Sequence, residues 1–285
     1  MSDTQATTKR KTKGRIIPVA ERRKPYLIEW FQWYVKGYLG RNFHSVAISK
    51  TGPFPGDVSG PVIVVLNHPS WWDPLLCAQL ATLWKERPHY APIDSVALEK
   101  MKFFEKLGFF GVDQDSMQGA AQFLATSKEL MKDHNTVLWI TGQGEFVDVR
   151  KRPIVLRPGV GHLASRLDQG CVIPLGLEYT FWTEKAPEAL MRFGEPIRIE
   201  NESDRTSGSW TELLQDRLAA TLDGLAEEAM QRNPELFEPL IAKGKAGIGG
   251  VFDWWRRFRS WSRGEKFRSD HAVIMEEKEK LKKEA

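Results

Sequence analysis

The sequence predicts an α/β protein: one main domain with a mostly parallel, mixed sheet flanked by helices, plus amphipathic helices at both ends. Residues 62–66, VIVVL, and residues 136–141, TVLWIT, are continuous apolar runs, which is typical of strands buried on both faces. Segments with helical spacing, such as residues 73–84 and 117–133, alternate with these strands. Of the 285 residues, 41% are hydrophobic, which is enough to build a core.

Turn residues and further apolar runs place the other elements in order along the chain. Additional strands are predicted at residues 89–94, 109–113, 171–182 and 191–199. Additional helices are predicted at residues 25–43, 95–108, 158–170 and 208–230. Residues 142–153 follow a strand and are predicted to form a loop.

Composition divides the chain into four regions. Residues 1–24 are predicted to be a disordered basic tail, because residues 9–24 hold eight lysines and arginines and a single acid. Residues 25–43 are predicted to form an amphipathic helix, and residues 44–235 the main domain. Residues 236–285 are predicted to be an aromatic and basic appendage that begins with a glycine-rich hinge.

The two terminal helices carry aromatic side chains that suit a lipid interface. Trp30 and Trp33 lie in the first helix, whereas Trp254, Trp255, Phe258 and Trp261 form one face of the second, opposite several arginines. This pattern favours an anionic membrane surface as partner, and packing on the body is the alternative for both helices. Aromatic residues on one stripe favour lipid over nucleic acid, so no nucleic-acid partner is expected.

The cysteines and hydropathy suggest where the chain works. Cys77 and Cys171 form no CxxC motif, so a reducing cytoplasmic setting is expected, and no metal site is expected. No stretch approaches the roughly 18 uninterrupted apolar residues of a membrane-spanning helix. We therefore expect a cytoplasmic chain that is peripheral on the cytoplasmic face of the membrane.

A titratable pair follows the strand at residues 62–66. His68 and Asp73 flank a short loop, so the carboxylate can reach one imidazole nitrogen and leave the other as a base. The alternative is that Ser70 or Asp73 only caps the next helix. His89 and Asp94 have the same spacing, but in an extended segment they would lie about 16 Å apart, so that pair is rejected.

Several short blocks in order resemble one enzyme family. The blocks are LNHPSWWDP at 66–74, LGFFGVDQ at 107–114, ITGQGEF at 140–146, RPGVGHLA at 157–164 and VIPLGL at 172–177. Together they resemble the glycerolipid acyltransferases, which include the lysophosphatidic acid acyltransferases. The hallmark of that family is an Asn-His followed, after four residues, by an Asp.

The resemblance implies a reaction and roles for named residues. His68 would be the general base and Asp73 its partner, and the acyl donor would be acyl-CoA or an acyl carrier protein, with no cofactor. The acceptor would be a hydroxyl of a lysophospholipid or glycerol-phosphate-like lipid, and Asn67 would help to hold the oxyanion. The residues that would bind substrate are Gln114, Gln143, Gly144, Glu145, Arg150 and Pro174.

Two blocks depart from the family pattern. Gln114 and Phe146 stand where the family has arginines associated with the acceptor's phosphate, and Gln143 replaces a glutamate. Either nearby basic residues supply the charge, or the acceptor is a lipid alcohol or glycolipid without phosphate. The candidate basic residues are Arg150, Lys151, Arg152 and Arg157.

Two other functional classes remain. A catalytically inactive protein that binds lipid surfaces would also explain the altered blocks. A hydrolase ranks lower, because the sequence has no G-x-S-x-G motif and no Ser or Cys is obviously paired with His68.

Overall fold

The computed structural model describes residues 18–241, except residues 55, 57 and 203. In this part of the chain, the strands are β1 Ser45–Ser49, β2 Val62–Leu66, β3 His89–Asp94, β4 Phe109–Val112, β5 Val137–Thr141, β6 Cys171–Thr180, β7 Glu188–Phe193, β8 Ile197–Arg198 and β9 Phe237–Ile241. The α-helices are α1 Val19–Arg22, α2 Pro25–Asn42, α3 Asp73–Leu80, α4 Ser95–Lys100, α5 Met117–Leu130, α6 Gly159–Ala164 and α7 Ser207–Gln231. Short 3₁₀ helices span Ala81–Trp84, Lys102–Leu107, Ile199–Glu202 and Pro234–Leu236.

The strands form one mixed sheet. Their order is β4-β3-β5-β2-β6-β7-β1-β9, and β8 pairs with β6. The central strand β2 runs parallel to β5 and β6. The pairs β6–β7, β6–β8 and β1–β9 are antiparallel. The predicted fold class, a mostly parallel mixed sheet flanked by helices, is confirmed.

Strand β2 is the centre of the core because both of its faces are covered. Ile63 and Val65 point into a cluster with side chains of α5, α6 and α7. Val62, Val64 and Leu66 point the other way, into a cluster with side chains of α2 and α3. Since side chains alternate along a strand, an uninterrupted apolar run is what a helix layer on each face requires.

The N-terminal boundary differs from the prediction. The backbone N–H of Lys24 donates to the carbonyl of Lys106 at 2.8 Å, and Arg22 forms an ion pair with Glu105 at 3.3 Å. The guanidinium of Arg23 lies 6.0 Å from the ring centroid of Tyr90. Residues 18–24 are therefore packed on the body, and the prediction of a disordered tail is wrong for them. Residues 1–17 lie outside the described residues.

The C-terminal boundary also differs. β9 pairs antiparallel with β1, so the sheet extends to Ile241 rather than ending before residue 236. The strand β1 was not predicted, and it gives β9 an edge on which to pair. The predicted aromatic and basic helix, with Trp254, Trp255, Phe258 and Trp261, lies outside the described residues.

Two predicted elements are interrupted. The helix predicted at residues 95–108 divides at Met101, whose ψ of 54° is not helical, and Gly108 ends the second part with a φ of 102°. A β-carbon at Gly108 would lie 2.4 Å from the carbonyl oxygen of His89, so a glycine is required there. The strand predicted at 191–199 divides into β7 and β8, since Gly194 and Pro196 lie between them.

The described helices do not include a membrane span. None of the helices between residues 18 and 241 combines the length and the apolar character needed to span a membrane. Helix α2 instead buries Val35 and Leu39 against the body and leaves Trp30 and Trp33 in solvent. The two interpretations of this helix are therefore compatible, because one face packs and the other is free.

Candidate active site

Chemically active side chains meet where three parallel strands end. Strands β5, β2 and β6 are neighbours and run in the same direction, so the residues that follow them share one edge of the sheet. Asn67 and His68 follow β2, Gln143 follows β5, and Tyr179 lies at the end of β6. In open α/β sheets this carboxyl edge is the usual place for a binding site.

His68 and Asp73 form a close pair. The Nδ1 of His68 lies 2.6 Å from the Oδ2 of Asp73. The carboxylate is fully buried, whereas 18% of the His68 side chain is exposed. A proton on Nδ1 that is donated to the carboxylate leaves Nε2 of the neutral imidazole as an acceptor, which is the arrangement a general base needs.

Asp73 does not act as a helix cap. Trp72 precedes α3 without a side-chain capping bond, and the Asp73 carboxylate turns back toward the loop. Its Oδ2 accepts a hydrogen bond from the backbone N–H of Ser70 at 3.2 Å. The alternative of simple helix capping is therefore wrong for this carboxylate.

Tyr179 completes the group and was not predicted. Its hydroxyl donates to the Oδ1 of Asp73 at 2.6 Å. Burial and the negative charge of Asp73 raise the pKa of Tyr179 well above its ordinary value, so it stays a neutral donor. Tyr179 lies 106 residues from Asp73, and only its position at the end of a buried strand hinted at a role.

A comparison with protein families covers the part of the chain that holds this arrangement. Residues 42–178, which include His68 and Asp73, match the family model described as Acyltransferase. This segment is similar to the acyltransferase family. This confirms the family predicted from the sequence blocks.

A comparison with solved structures also finds similar folds. The chain is similar to the 1-acyl-sn-glycerophosphate (LPA) acyltransferase PlsC from Thermotoga maritima, with 12% sequence identity and a TM-score of 0.46. The similarity covers 71% of this chain and 79% of that chain. A search of curated proteins found no match.

Asn67 connects two strands of the acyltransferase. Its side-chain amide donates to the carbonyl of Leu177 at 2.9 Å, and its Oδ1 accepts from the N–H of Leu177 at 2.8 Å. The residue is almost fully buried. Because both ends of the amide bind β6, the structure does not present it to a substrate as the predicted oxyanion donor. Asn67 instead fixes the start of the loop that carries His68.

The loop after β5 holds the backbone of His68 on both sides. The Oε1 of Gln143 accepts from the N–H of His68 at 3.1 Å, and the N–H of Val147 donates to the carbonyl of His68 at 3.0 Å. Gly144 has a φ of 72°, which allows the chain to turn between these two contacts. Gln143, predicted to bind substrate, is thus placed to position His68.

Phe146 lies directly against the imidazole. The two ring centroids are 4.4 Å apart and the rings are tilted by 40°. Most of the Phe146 ring is exposed, and so is the neighbouring Glu145. The position where the family has an arginine therefore presents an apolar surface beside the candidate base.

The remaining predicted substrate residues are in different places. Arg150 is bound to Asp148, and Gln114 lies at the surface with its carbonyl accepting from Arg157 at 2.8 Å. Pro174 is buried inside β6 opposite Val65, so its prediction as a substrate-binding residue is wrong. Five residues further along the same strand, Tyr179 reaches the site instead.

His89 and Asp94, the second pair with the same spacing, have structural roles. The Nε2 of His89 donates to the carbonyl of Trp84 at 3.1 Å, and its Nδ1 accepts from the indole of Trp139 at 3.1 Å. Burial lowers the pKa of His89 to about 4. Asp94 caps α4 by accepting from the N–H of Ala97 at 3.0 Å. The prediction that these two residues do not pair is confirmed.

Replacing Tyr179 with phenylalanine is expected to lower the rate of acyl transfer by roughly tenfold, because Asp73 loses one hydrogen bond to a charged group. The measurement is the steady-state rate of acyl transfer, with thermal unfolding to show that the variant is folded. A buried tyrosine elsewhere, in Tyr90→Phe, serves as the control, and a wild-type rate in Tyr179→Phe would contradict the role of Tyr179.

Proposed function

We propose that this acyltransferase moves a fatty acyl group from a thioester donor, acyl-CoA or an acyl carrier protein, to a hydroxyl of an amphiphilic lipid. The observation that carries the proposal is the 2.6 Å contact between His68 and Asp73 at the carboxyl end of the central strand. A hydroxyl is a poor nucleophile at neutral pH, so a positioned base is the group that this reaction needs most.

In the proposed steps, His68 first accepts a proton and then returns it. Its Nε2 accepts the hydroxyl proton while the hydroxyl oxygen forms a bond to the thioester carbonyl carbon. The resulting tetrahedral intermediate breaks its carbon–sulfur bond, and the leaving thiolate takes the proton back from the imidazolium. Asp73 stabilises the imidazolium that forms between the two steps, and Tyr179 and the Ser70 N–H hold the carboxylate in place.

A chain of aromatic rings supports a membrane surface as partner. We define this aromatic belt as Tyr26, Trp30, Trp33, Tyr34, Tyr38 and Trp71. Successive rings stack from Trp30 to Tyr34 and from Tyr34 to Tyr38, each at 6.0 Å between centroids. Tyr38 then contacts Trp71 at 6.5 Å, in the loop that carries His68.

The large aromatic side chains of the belt are exposed to solvent. Trp30 is 53% exposed and Trp33 is 72% exposed. Such a patch marks an interaction site, and tryptophan and tyrosine suit the boundary between lipid and water. We propose that the belt rests on an anionic membrane and brings the His68 loop to a lipid acceptor. Because the proposed donors are cytoplasmic molecules, we propose that the belt binds the cytoplasmic face of the membrane.

Replacing both Trp30 and Trp33 with alanine is expected to weaken binding to anionic phospholipid vesicles by at least about tenfold, because two large apolar side chains no longer leave water. Sedimentation with vesicles measures the change. Met230→Ala, which removes an equally exposed apolar side chain from α7, is the control. Equal binding by wild type and the double variant would argue against the belt as the membrane surface.

The test of the proposed reaction supplies each donor with a panel of lipid alcohols. Release of thiol together with an acylated lipid, identified by mass spectrometry, is the expected result. Thiol release without an acylated lipid would indicate a hydrolase. Vesicle binding without thiol release would indicate the inactive lipid-binding protein instead.

A further inference from the structure

We propose that the acceptor is an uncharged lipid alcohol and that Phe146 is the residue that selects it over a phosphate-bearing lipid. This inference rests on the proposed function and names the substrate class of the same site. It depends on three features of the described residues: the surface beside the base, the hydrogen bonds of the nearby arginines, and the carboxylates that offset their charge.

The surface beside the base is apolar. Phe146 contacts the His68 ring at 4.4 Å between centroids and is 62% exposed. An acceptor that brings its hydroxyl to Nε2 therefore lies next to an apolar ring. An ionised phosphate held there would lose water without gaining a hydrogen bond from that ring, which is unfavourable. The carbon-bound hydrogens of a glycerol or sugar suffer no such penalty.

The arginines of the following loop are already engaged. Arg150 donates from Nε and Nη2 to the two carboxylate oxygens of Asp148, at 2.9 and 2.7 Å. These hydrogen bonds hold the pKa of the Asp148 carboxyl well below its ordinary value, so the pair stays charged on both sides at neutral pH. Arg152 forms an ion pair with Asp223 on α7 and also donates to the carbonyl of Val149.

Arg157 is the strongest competing source of positive charge. Its Nη1 donates to the carbonyl of Gln114 at 2.8 Å, and its Nη2 lies 4.0 Å from Asp115. A β-carbon at Gly144 would lie 2.3 Å from the Nε of Arg157, so the guanidinium is pressed against the turn of the loop. The cation thus joins two loops of the protein through contacts that an acceptor phosphate would have to replace.

Carboxylates offset the positive charge of these loops. Arg150 pairs with Asp148, Arg152 pairs with Asp223, and Arg157 lies 4.0 Å from Asp115. These carboxylates weaken the field that would attract a doubly charged phosphate, whereas an uncharged headgroup is unaffected. Both the contact surface and the wider charge point to the same acceptor class.

The experiment compares matched acceptors. Acyl transfer is measured with monoacylglycerol and with lysophosphatidate of the same acyl chain, and with an alkyl glucoside and its phosphate monoester. Within each pair only the phosphate differs. Wild type is expected to show at least a tenfold higher kcat/KM with an uncharged member than with its phosphate partner.

The variant Phe146→Arg is expected to shift this preference toward the phosphate ester by about tenfold or more, since it adds a donor that can form a charge-assisted hydrogen bond. Because the side chain is mostly exposed, the change leaves the core intact. Met230→Arg adds the same charge on α7 and is expected to leave the preference unchanged.

The outcomes separate this inference from the proposed function. Transfer that favours the phosphate esters in wild type would overturn the inference and leave the function standing. Loss of that transfer in Arg157→Gln would then identify Arg157 as the phosphate-binding group. No acylated product with any member of the panel would overturn both.

Discussion

Acyl transfer by His68→Ala is expected to be lower than in wild type by a factor of about 10² to 10⁴, because the hydroxyl acceptor loses its general base. His68 lies at a strand end with part of its side chain exposed, and its ring contacts the mostly exposed Phe146. The fold should therefore survive. The measurement is product formation at saturating donor and acceptor.

Two controls make this result specific. His134→Ala removes an exposed histidine that contacts Gln169. His134 precedes β5, at the edge of the sheet opposite to His68, so this variant is expected to keep full activity. Vesicle binding by His68→Ala should equal that of wild type, because the aromatic belt is unchanged. If His68→Ala retained the wild-type rate, the assignment of the base would be wrong, and the lipid-binding alternative would gain support.

The second large effect concerns Asp73. Asp73→Asn is expected to lower the rate of acyl transfer by about 10²- to 10⁴-fold, because it removes the charge that stabilises the imidazolium and reverses the hydrogen bonding. An amide nitrogen facing His68 would favour the tautomer with its proton on Nε2, which cannot accept a proton from the acceptor. In this orientation the amide oxygen still accepts from the hydroxyl of Tyr179, but the amide nitrogen faces the N–H of Ser70 as well as His68.

Steady-state rates and thermal unfolding together test this prediction. The substitution keeps the size of the side chain, so a loss of activity without loss of the folded state indicates chemistry rather than collapse. Asp94→Asn is the matched control, since asparagine caps a helix about as well as aspartate. A rate for Asp73→Asn within a factor of ten of wild type would remove Asp73 from the proposed mechanism.

Sequence alone located the pair because its geometry is local. His68 and Asp73 lie five residues apart, between a strand marked by a continuous apolar run and a helix that begins with Asp and Pro. A loop of this length allows the two side chains to meet. The same reasoning rejected His89 and Asp94, which lie along an extended strand. Local periodicity likewise predicted the fold class.

The contacts that support the pair depend on the sheet. Tyr179 reaches Asp73, and Asn67 binds Leu177, only because β2 and β6 pair in one register, with Leu66 opposite Leu175. A shift of one residue would turn Tyr179 to the other face. No pattern within β6 specifies that register, so the sequence does not predict the contact of Tyr179 with Asp73. The prediction for Pro174 depends on the resemblance of VIPLGL to a family block and not on the register.

The sequence by itself determined the α/β class, the acyltransferase blocks and the His68–Asp73 pair, since each depends on residues close together in the chain. Tertiary structure alone decided which side chains surround the imidazole, including the contact with Phe146. It also decided that residues 18–24 pack on the body and that β9 joins the sheet. These features depend on packing between segments far apart in sequence, where the energy of a contact comes from the partner as much as from the residue itself.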